Sequence, residues 1–258
     1  KELVAYLKSV SPKVLILNGD VIDGWAFSKR YFPNSHMAVL SEFFKMMKKG
    51  TQVIYITGNH DEFLRKYTDL SMGNLFLTDK YLLEIEGKKH WIFHGDVFDH
   101  TTSGGAKFIA KLGGMGYDWL ILVNRAINWV LEKFGKGKVS LSKKVKNSVK
   151  KAVKFIGDFE KKATEIAINN HYDYVICGHI HQPADKIWTT EKGSIHYLNS
   201  GDWIENLSWL EFDKGNWNLK FFNEKDFEKP IIEKNDISVN MEELIHPKVF
   251  AEFATQKV

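Results

Sequence analysis

The chain has 258 residues, of which 44% are hydrophobic and 14% aromatic, which is enough to bury one large core or a core with a small appendage. Its 36 lysines and arginines slightly exceed its 32 aspartates and glutamates, so the net charge of +4 favours anionic partners only weakly, and we expect no nucleic-acid partner. The single cysteine, Cys177, excludes an internal disulfide, and we expect neither a secretory signal nor a transmembrane run of about 18 to 20 apolar residues, which predicts a cytoplasmic protein.

Short apolar runs and stretches of helical spacing alternate in the first part of the chain. In order, they predict a helix tail at 2–9, a strand at 14–17, a helix at 35–49 that ends at Gly50, and a strand at 53–56. Two further strands, at 81–86 and 89–93, flank a Glu-Gly-Lys turn that is typical of a hairpin. Strand–helix–strand order followed by a hairpin predicts a mixed sheet and an α/β or α+β fold.

Strand signals vanish between residues 105 and 170, where long helical patterns predict an insertion. Lysines alternate there with apolar residues spaced every three to four positions, as in a basic amphipathic helix; the apolar set is Val139, Leu141, Val145, Val149, Val153 and Ile156. One interpretation is a surface helix packed on the core, with solvated lysines. The other is a lid that touches anionic lipid or a lipid-like substrate.

Strand signals return after the insertion. They predict a strand at Tyr174–Cys177, a hairpin formed by 186–190 and 194–198, and a second hairpin formed by 207–212 and 217–222. Residues 223–258 are charged and weakly periodic, which is typical of an extended tail. The predicted organisation is one domain over residues 1–222, with the helical insertion at 105–170, followed by a C-terminal extension at 223–258.

Four short polar segments follow runs that are typical of buried strands. They are Gly19-Asp20 with Asp23, Gly58-Asn59-His60-Asp61, His94-Gly95-Asp96 and Gly178-His179-Ile180-His181. If the strands lie side by side in one sheet, the loops beyond their ends meet and can share a metal cluster. The candidate ligands are a carboxylate suited to bridging, an amide oxygen and three imidazoles, from Asp20, Asn59, His94, His179 and His181. Such a set suits two divalent ions about 3.5 to 4 Å apart, which together promote cleavage of phosphate esters.

The ordered set of segments resembles the calcineurin-like metallophosphoesterase family over roughly residues 10–220. The resemblance implies a four-layer αββα sandwich and a phosphoesterase with two divalent metal ions. Mn²⁺ is the ion that it favours, with Fe, Zn or Co as alternatives. In the implied ligand set, Asp20 bridges both ions, one ion is completed by Asn59, His94 and His179, and the other is served by His181.

The same resemblance implies roles for residues that hold no metal. His60 faces the substrate phosphate, where it protonates the leaving oxygen or stabilises the transition state, and Asp61 orients the His60 ring. For Asp23 and Asp96 two interpretations stay open. They are either partners that orient metal ligands or ordinary turn formers.

One family feature is missing from the printed sequence. The family carries an Asp-x-His pair on its first strand, and no such pair stands ahead of Gly19. Residue 1 looks like part of the middle of a helix. We therefore expect the missing strand and its two ligands upstream of Lys1.

A narrower resemblance is to the UDP-2,3-diacylglucosamine pyrophosphatases of lipid A synthesis and to bacterial phosphoesterases like them. It rests on stretches 93–99 and 177–183, on 141–146 within the insertion, and on Asn199-Ser200-Gly201-Asp202-Trp203. It implies a lipid-linked nucleotide substrate cut at its pyrophosphate, and a protein peripheral to the inner membrane that contacts an anionic surface. The alternatives are a phosphodiesterase or phosphatase acting on another nucleotide or phospholipid, and a non-catalytic scaffold of the same fold.

Overall fold

The described part of the chain forms two larger β-sheets with helices against them and a separate two-stranded sheet, seen here in a computed structural model. The structure describes residues 1–24, 32–98 and 141–227, and of residues 141–149 and 151 it describes the backbone only. Much of the predicted insertion (105–140) and of the predicted extension (228–258) therefore lies outside the described residues. The described residues belong to one compact unit, Lys1–Phe227.

The first sheet has four strands. The elements of this part of the chain are helix α1 (Glu2–Ser9), strand β1 (Val14–Asn18), helix α2 (Asn34–Lys48) and strands β2 (Gln52–Ile56), β3 (Ser71–Met72) and β4 (Leu75–Thr78). The strand order is β1-β2-β4-β3, and β1, β2 and β4 run parallel while β3 pairs antiparallel with β4. The predicted helices and strands of this region are confirmed. The short strands β3 and β4 and a 3-10 helix at Glu62–Tyr67 were not predicted.

The second sheet has five strands. The remaining elements are strands β5 (Lys80–Ile85) and β6 (Lys88–Phe93), helix α3 (Leu141–Asn169), and strands β7 (Tyr174–Cys177), β8 (Ala184–Thr190), β9 (Gly193–Asn199), β10 (Ser208–Asp213) and β11 (Asn216–Phe221). The order is β5-β6-β7-β9-β8, parallel at its centre and antiparallel at both edges, and β10 pairs with β11 alone. The predicted mixed sheet and all three predicted hairpins are confirmed. Glu86 and Gly87 form the β5–β6 turn at φ of 53° and 76°, as a two-residue hairpin loop requires.

The two sheets pack face to face, and this corrects one expectation. Ile54 and Ile56 of β2 form a single buried cluster with Ile92, Ile176 and Leu198 of the second sheet. The four strands that precede the polar segments are therefore divided between two sheets, with β1 and β2 in one and β6 and β7 in the other. Buried parallel strands are apolar on both faces, so their sequences do not reveal which strands share a sheet.

Helices cover the outer faces of both sheets. Leu7 of α1 packs with Phe43 and Met46 of α2 against the outer side of β1. On the other side, Phe159 and Ala163 of α3 join the fully buried thiol Cys177 in a second cluster with residues of β7 and β9. The layers are helix, sheet, sheet and helix, which is the αββα sandwich.

Helix α3 contains both a buried and an exposed part. Its second half lies in the core, since Phe159 is 1% exposed and Ala163 and Ala167 are completely buried. Val153, in the first half, is 64% exposed, and its neighbours Lys150 and Lys154 are exposed as well. The carboxyl end of the predicted insertion is thus a layer of the sandwich. Among the residues that the structure describes, no helix is long and apolar enough to cross a bilayer.

Candidate metal centre

Loops from both sheets meet beyond the carboxyl ends of their central strands. Asp20 follows β1, His94 follows β6, and His179 follows β7. One ligand atom from each of these residues lies within 4.8 Å of those of the other two. Three of the predicted ligands are therefore brought together, although the first and the last lie 159 positions apart in the sequence.

The contact between Asp20 and His94 has the geometry of two ligands aimed at one point. His94 is 3% exposed, and its Nδ1 lies 2.8 Å from the backbone oxygen of Asn18. Because that oxygen can only accept, Nδ1–H is the donor and Nε2 keeps a free lone pair. Nε2 lies 3.1 Å from Asp20 Oδ2 and has no hydrogen-bond partner. The other oxygen, Asp20 Oδ1, accepts the backbone N–H of His60 at 2.8 Å.

The electrostatics of this pair favour a cation. Burial raises the pKa of the Asp20 carboxyl, but the contact with His94 and the N–H of His60 outweigh it and lower the pKa to about 2. Burial lowers the pKa of His94, yet the Asp20 carboxylate reverses the shift and raises it. The carboxylate thus attracts positive charge to the space between the two side chains. A divalent ion bound there takes the place of the proton.

Buried polar atoms without hydrogen-bond partners supply the test of whether a metal fits. Asn59 Oδ1 and His94 Nε2 are buried and accept no hydrogen bond. Buried acceptors normally have a partner, since an unmet one costs about 1 to 3 kcal/mol. An amide oxygen and an imidazole nitrogen, together with the carboxylate of Asp20 and His179, form a donor set that suits a divalent first-row ion. These four side chains are therefore suited to hold a divalent metal ion.

The backbone at this site is tightly constrained. Gly19 has a φ of +77°, and a Cβ at this position would collide with the His94 ring. A Cβ at Gly58 would collide with Asp20 Oδ1. Asp20 and His179 themselves lie in the left-handed region, at φ of 53° and 61°, where few non-glycine residues occur. Such strain concentrates at functional sites, because the surrounding structure must hold it in place.

His60 and Asp61 have different partners in the structure. His60 Nδ1 lies 3.1 Å from Asp23 Oδ1, and its Nε2 lies 4.0 Å from Asp20 Oδ2. Asp61 is completely buried, and its carboxylate instead accepts the Tyr55 hydroxyl at 2.6 Å and two backbone N–H groups, from Val21 at 3.0 Å and Gly58 at 2.5 Å. The role of Asp61 in orienting the His60 ring stays a prediction. Asp23 lies beside the His60 ring, and Asp61 ties the loops after β1 and β2 together.

Asp96 is bound to a residue that sequence reasoning missed. Its Oδ2 accepts Arg65 Nη2 at 2.5 Å, and Arg65 Nε also lies 3.5 Å from Asp79. Asp96 is 8% exposed, so this ion pair fixes the loop that begins at His94. Arg65 stands in an ordinary charged stretch and carries no sequence signal. Asn18 was missed for a similar reason, because a polar residue at a strand end looks like a turn former.

His181 is outside the three-residue group of Asp20, His94 and His179. Its side chain is 47% exposed and its φ is +52°. Its Nδ1 lies 3.5 Å from Asp202 Oδ2. The structure therefore places this predicted ligand on the same loop as His179, with a carboxylate beside its ring.

A sequence model described as calcineurin-like phosphoesterase matches residues 1–183. The chain belongs to the calcineurin-like phosphoesterase family. As a member of this family it is a hydrolase that acts on phosphoester bonds, and the family uses divalent metal ions of the kind that the donor set suits.

Two hydrolases similar to this phosphoesterase are identical to it at about a quarter of the aligned residues. The UDP-2,3-diacylglucosamine hydrolase of Aliivibrio fischeri (strain MJ11) is 24% identical over 206 residues, which cover 80% of this chain and 83% of that protein. The protein of the same name from Shigella sonnei (strain Ss046) is 27% identical over 172 residues, 66% of this chain and 69% of that one. A solved archaeal phosphodiesterase matches 86% of this chain and 92% of its own at 13% identity, with a TM-score of 0.39, which is too low to support an argument.

Proposed function

We propose that this phosphoesterase hydrolyses the pyrophosphate bond of a UDP-2,3-diacylglucosamine-like substrate in lipid A synthesis. Water is added across the bond, so that one product is UMP and the other is the acylated sugar phosphate. The observation that carries the proposal is the convergence of Asp20, His94 and His179 on one point, in a chain whose relatives bear that substrate in their names. Those relatives match four fifths and two thirds of the chain.

The proposed cofactor is a pair of divalent ions, with Mn²⁺ as the preferred metal. Asp20 would bridge the pair, Asn59, His94 and His179 would hold one ion, and His181 would serve the other. Bound there, the ions supply a clamp for the phosphoryl oxygens, a water of lowered pKa and compensation for the charge that develops. The absence of sulfur among these donors favours Mn²⁺, Fe, Zn²⁺ or Co²⁺ over softer metals.

His60 is the proposed proton donor to the leaving oxygen. Its side chain is 30% exposed, so it can reach a substrate, while Nε2 is 4.0 Å from the Asp20 carboxylate. Asp23, at 3.1 Å from Nδ1, holds the ring so that Nε2 faces the phosphate. The ion pair between Arg65 and Asp96 keeps the His94 loop in place.

The proposed recognition of the lipid part involves the first half of α3 and the earlier part of the insertion, residues 105–140, which lie outside the described structure. Val153 is 64% exposed between the exposed side chains of Lys150 and Lys154. An apolar side chain flanked by ammonium groups suits a substrate that carries both acyl chains and phosphates. We place the enzyme in the cytoplasm, at the anionic surface of the inner membrane, where such a substrate resides.

The test compares UDP-2,3-diacylglucosamine with its deacylated counterpart UDP-glucosamine, using full-length protein with Mn²⁺ and measuring release of UMP. The expected result is faster release from the diacyl substrate, with an activated generic phosphodiester cleaved slowly. His94→Ala serves as the control for metal-independent background. Equal turnover of the two sugar nucleotides would contradict the lipid substrate and favour another nucleotide or a phospholipid.

A further inference from the structure

The segment that follows β9 holds the His179–His181 loop at several points. We call residues 199–206 the clamp. Asn199 Nδ2 donates to the backbone oxygen of Gly178 at 2.9 Å, and the Ser200 N–H donates to the backbone oxygen of Cys177 at 3.1 Å. At the other end, Asn206 Nδ2 donates to the backbone oxygen of His181 at 2.9 Å. The clamp thus fixes both ends of the loop that carries two proposed ligands.

Asp202 is the centre of the clamp, and its two carboxylate oxygens have different partners. Oδ1 accepts three backbone N–H groups, from Ile204 at 2.7 Å, Glu205 at 2.6 Å and Asn206 at 3.2 Å. Oδ2 accepts Asn206 Nδ2 at 2.7 Å and lies 3.5 Å from His181 Nδ1. The side chain is only 7% exposed although it lies beside a half-exposed imidazole. One oxygen builds the turn and the other faces the histidine.

His181 needs such support for two reasons. Its φ of +52° is unusual for a residue with a side chain, so its backbone must be held by neighbouring groups. Its ring is 47% exposed, so packing alone does not select one rotamer. A carboxylate beside one ring nitrogen selects the tautomer with the proton on that nitrogen and leaves the other nitrogen as the ligand.

We propose that Asp202 is a positioning residue that holds His181 with Nδ1–H toward its carboxylate, so that Nε2 is presented to the second divalent ion. Asn206 supports the arrangement through the His181 backbone. The inference rests on the two-ion site proposed above. It gives the Asn199–Trp203 stretch the role of orienting His181. The group of Asp20, His94 and His179 does not depend on this stretch for the orientation of His94, because the backbone oxygen of Asn18 orients that ring.

The test is Asp202→Asn in full-length protein. The amide retains Oδ1 for the three backbone N–H groups, so the turn is kept, but it offers an N–H₂ donor to both His181 and Asn206. The matched control is Asp185→Asn, because Asp185 Oδ1 lies 2.5 Å from His196 Nε2 in an Asp–His pair outside the site. Bound Mn²⁺ is counted by elemental analysis and its affinities by titration, and thermal unfolding is recorded on metal-free protein.

We expect two ions in the wild type and in Asp185→Asn. In Asp202→Asn the first ion keeps its affinity and the second binds about 10-fold to 100-fold more weakly. The metal-free melting temperature falls only slightly, because Asn206 Nδ2 loses one acceptor and keeps the His181 backbone oxygen. Should Asp202→Asn fail to fold, Asn206→Ala removes the backbone support alone and is expected to weaken the second ion in the same direction. Two ions of wild-type affinity in the folded variants would overturn the inference and leave the proposed function standing. A single ion in the wild type would overturn the two-ion proposal and the inference with it.

Discussion

At the scale of single residues, the polar segments of the sequence indicated metal-dependent chemistry. The contacts that support the candidate ligands became visible only in the folded structure. Asp20, Asn59, His94 and His179 could be singled out because short motifs at strand ends carry hard ligands. Their supporting contacts could not be predicted, because they join residues far apart, such as His94 with the Asn18 carbonyl, 76 positions away. The same holds for Arg65 and Asp96, which are 31 positions apart. Pairing over such distances is decided by the sheets and leaves no trace in local sequence.

Replacing His60 tests the proposed proton donor. His60→Ala should retain bound metal yet lower kcat by about 10² to 10⁴, the range of general acid catalysis. His94→Ala should lose metal, because it removes the buried Nε2 beside Asp20. Elemental analysis and kcat measured on the same preparations check both. Loss of metal in His60→Ala together with its retention in His94→Ala would reverse the two assignments.

The different contacts of Asp23 and Asp61 predict opposite consequences of removing each carboxylate. Asp61→Ala leaves the Tyr55 hydroxyl and the N–H groups of Val21 and Gly58 without an acceptor, which should lower the free energy of unfolding by about 3 kcal/mol or more. Asp23→Ala should change the free energy of unfolding by less than about 0.5 kcal/mol, because the Asp23 side chain is 51% exposed.

The catalytic effect runs the other way. Asp23→Ala should lower kcat by about 10-fold to 100-fold, because the His60 ring loses its partner and is no longer oriented toward the leaving oxygen. Urea unfolding with chelator and steady-state kinetics with Mn²⁺ separate the two effects. An Asp23 variant with full activity would show that its contact with His60 is incidental.

At the scale of elements, most helices and strands could be predicted from the spacing of apolar residues. The assignment of the strands to sheets could not. The hairpin at Glu86 and Gly87 and the helix end before Gly50, at φ of +101°, are local and were predicted. β3, with two residues, is too short to leave a pattern. The division of β1 and β2 from β6 and β7 was missed because each is a short apolar run, and a run buried on both faces carries no alternation that assigns it to a sheet.

Helix α3 offers an element-scale prediction. Phe159 is 1% exposed and packs beneath the metal loop, 6.2 Å between ring centroids from His179, so Phe159→Ala should lower the free energy of unfolding by about 3 to 5 kcal/mol. Val153→Ala is the matched control on the same helix, at 64% exposure, and should change it by less than about 0.5 kcal/mol. Denaturant unfolding of the metal-free proteins measures both. Equal losses would contradict the division of α3 into a buried and an exposed half.

At the scale of the whole molecule, the sandwich explains why a site can form from loops so distant in sequence. Packing of Ile54 and Ile56 against Ile92 and Ile176 holds the carboxyl ends of strands from both sheets at one edge. The αββα architecture was expected from family resemblance, and the packing of this chain confirms it. The architecture does not identify the substrate, because a fold positions a site and the residues around that site determine its specificity.

Substrate length tests the proposed specificity of the intact enzyme. If acyl chains are buried on binding, each methylene removed from the substrate should cost up to about 0.8 kcal/mol, or about a four-fold loss in kcat/KM. A series of UDP-2,3-diacylglucosamine analogues of graded chain length, assayed below their critical micelle concentrations, gives the slope. A flat series would show that the enzyme does not bind the chains.

The central claim is that loops from two sheets form one divalent metal centre, and anomalous X-ray scattering from crystals of full-length protein grown with Mn²⁺ tests it most directly. We expect two manganese peaks about 3.5 to 4 Å apart, one of them bounded by Asp20, Asn59, His94 and His179 and the other beside His181. Strong manganese peaks elsewhere in the crystal, with none beside Asp20 and His94, would contradict it.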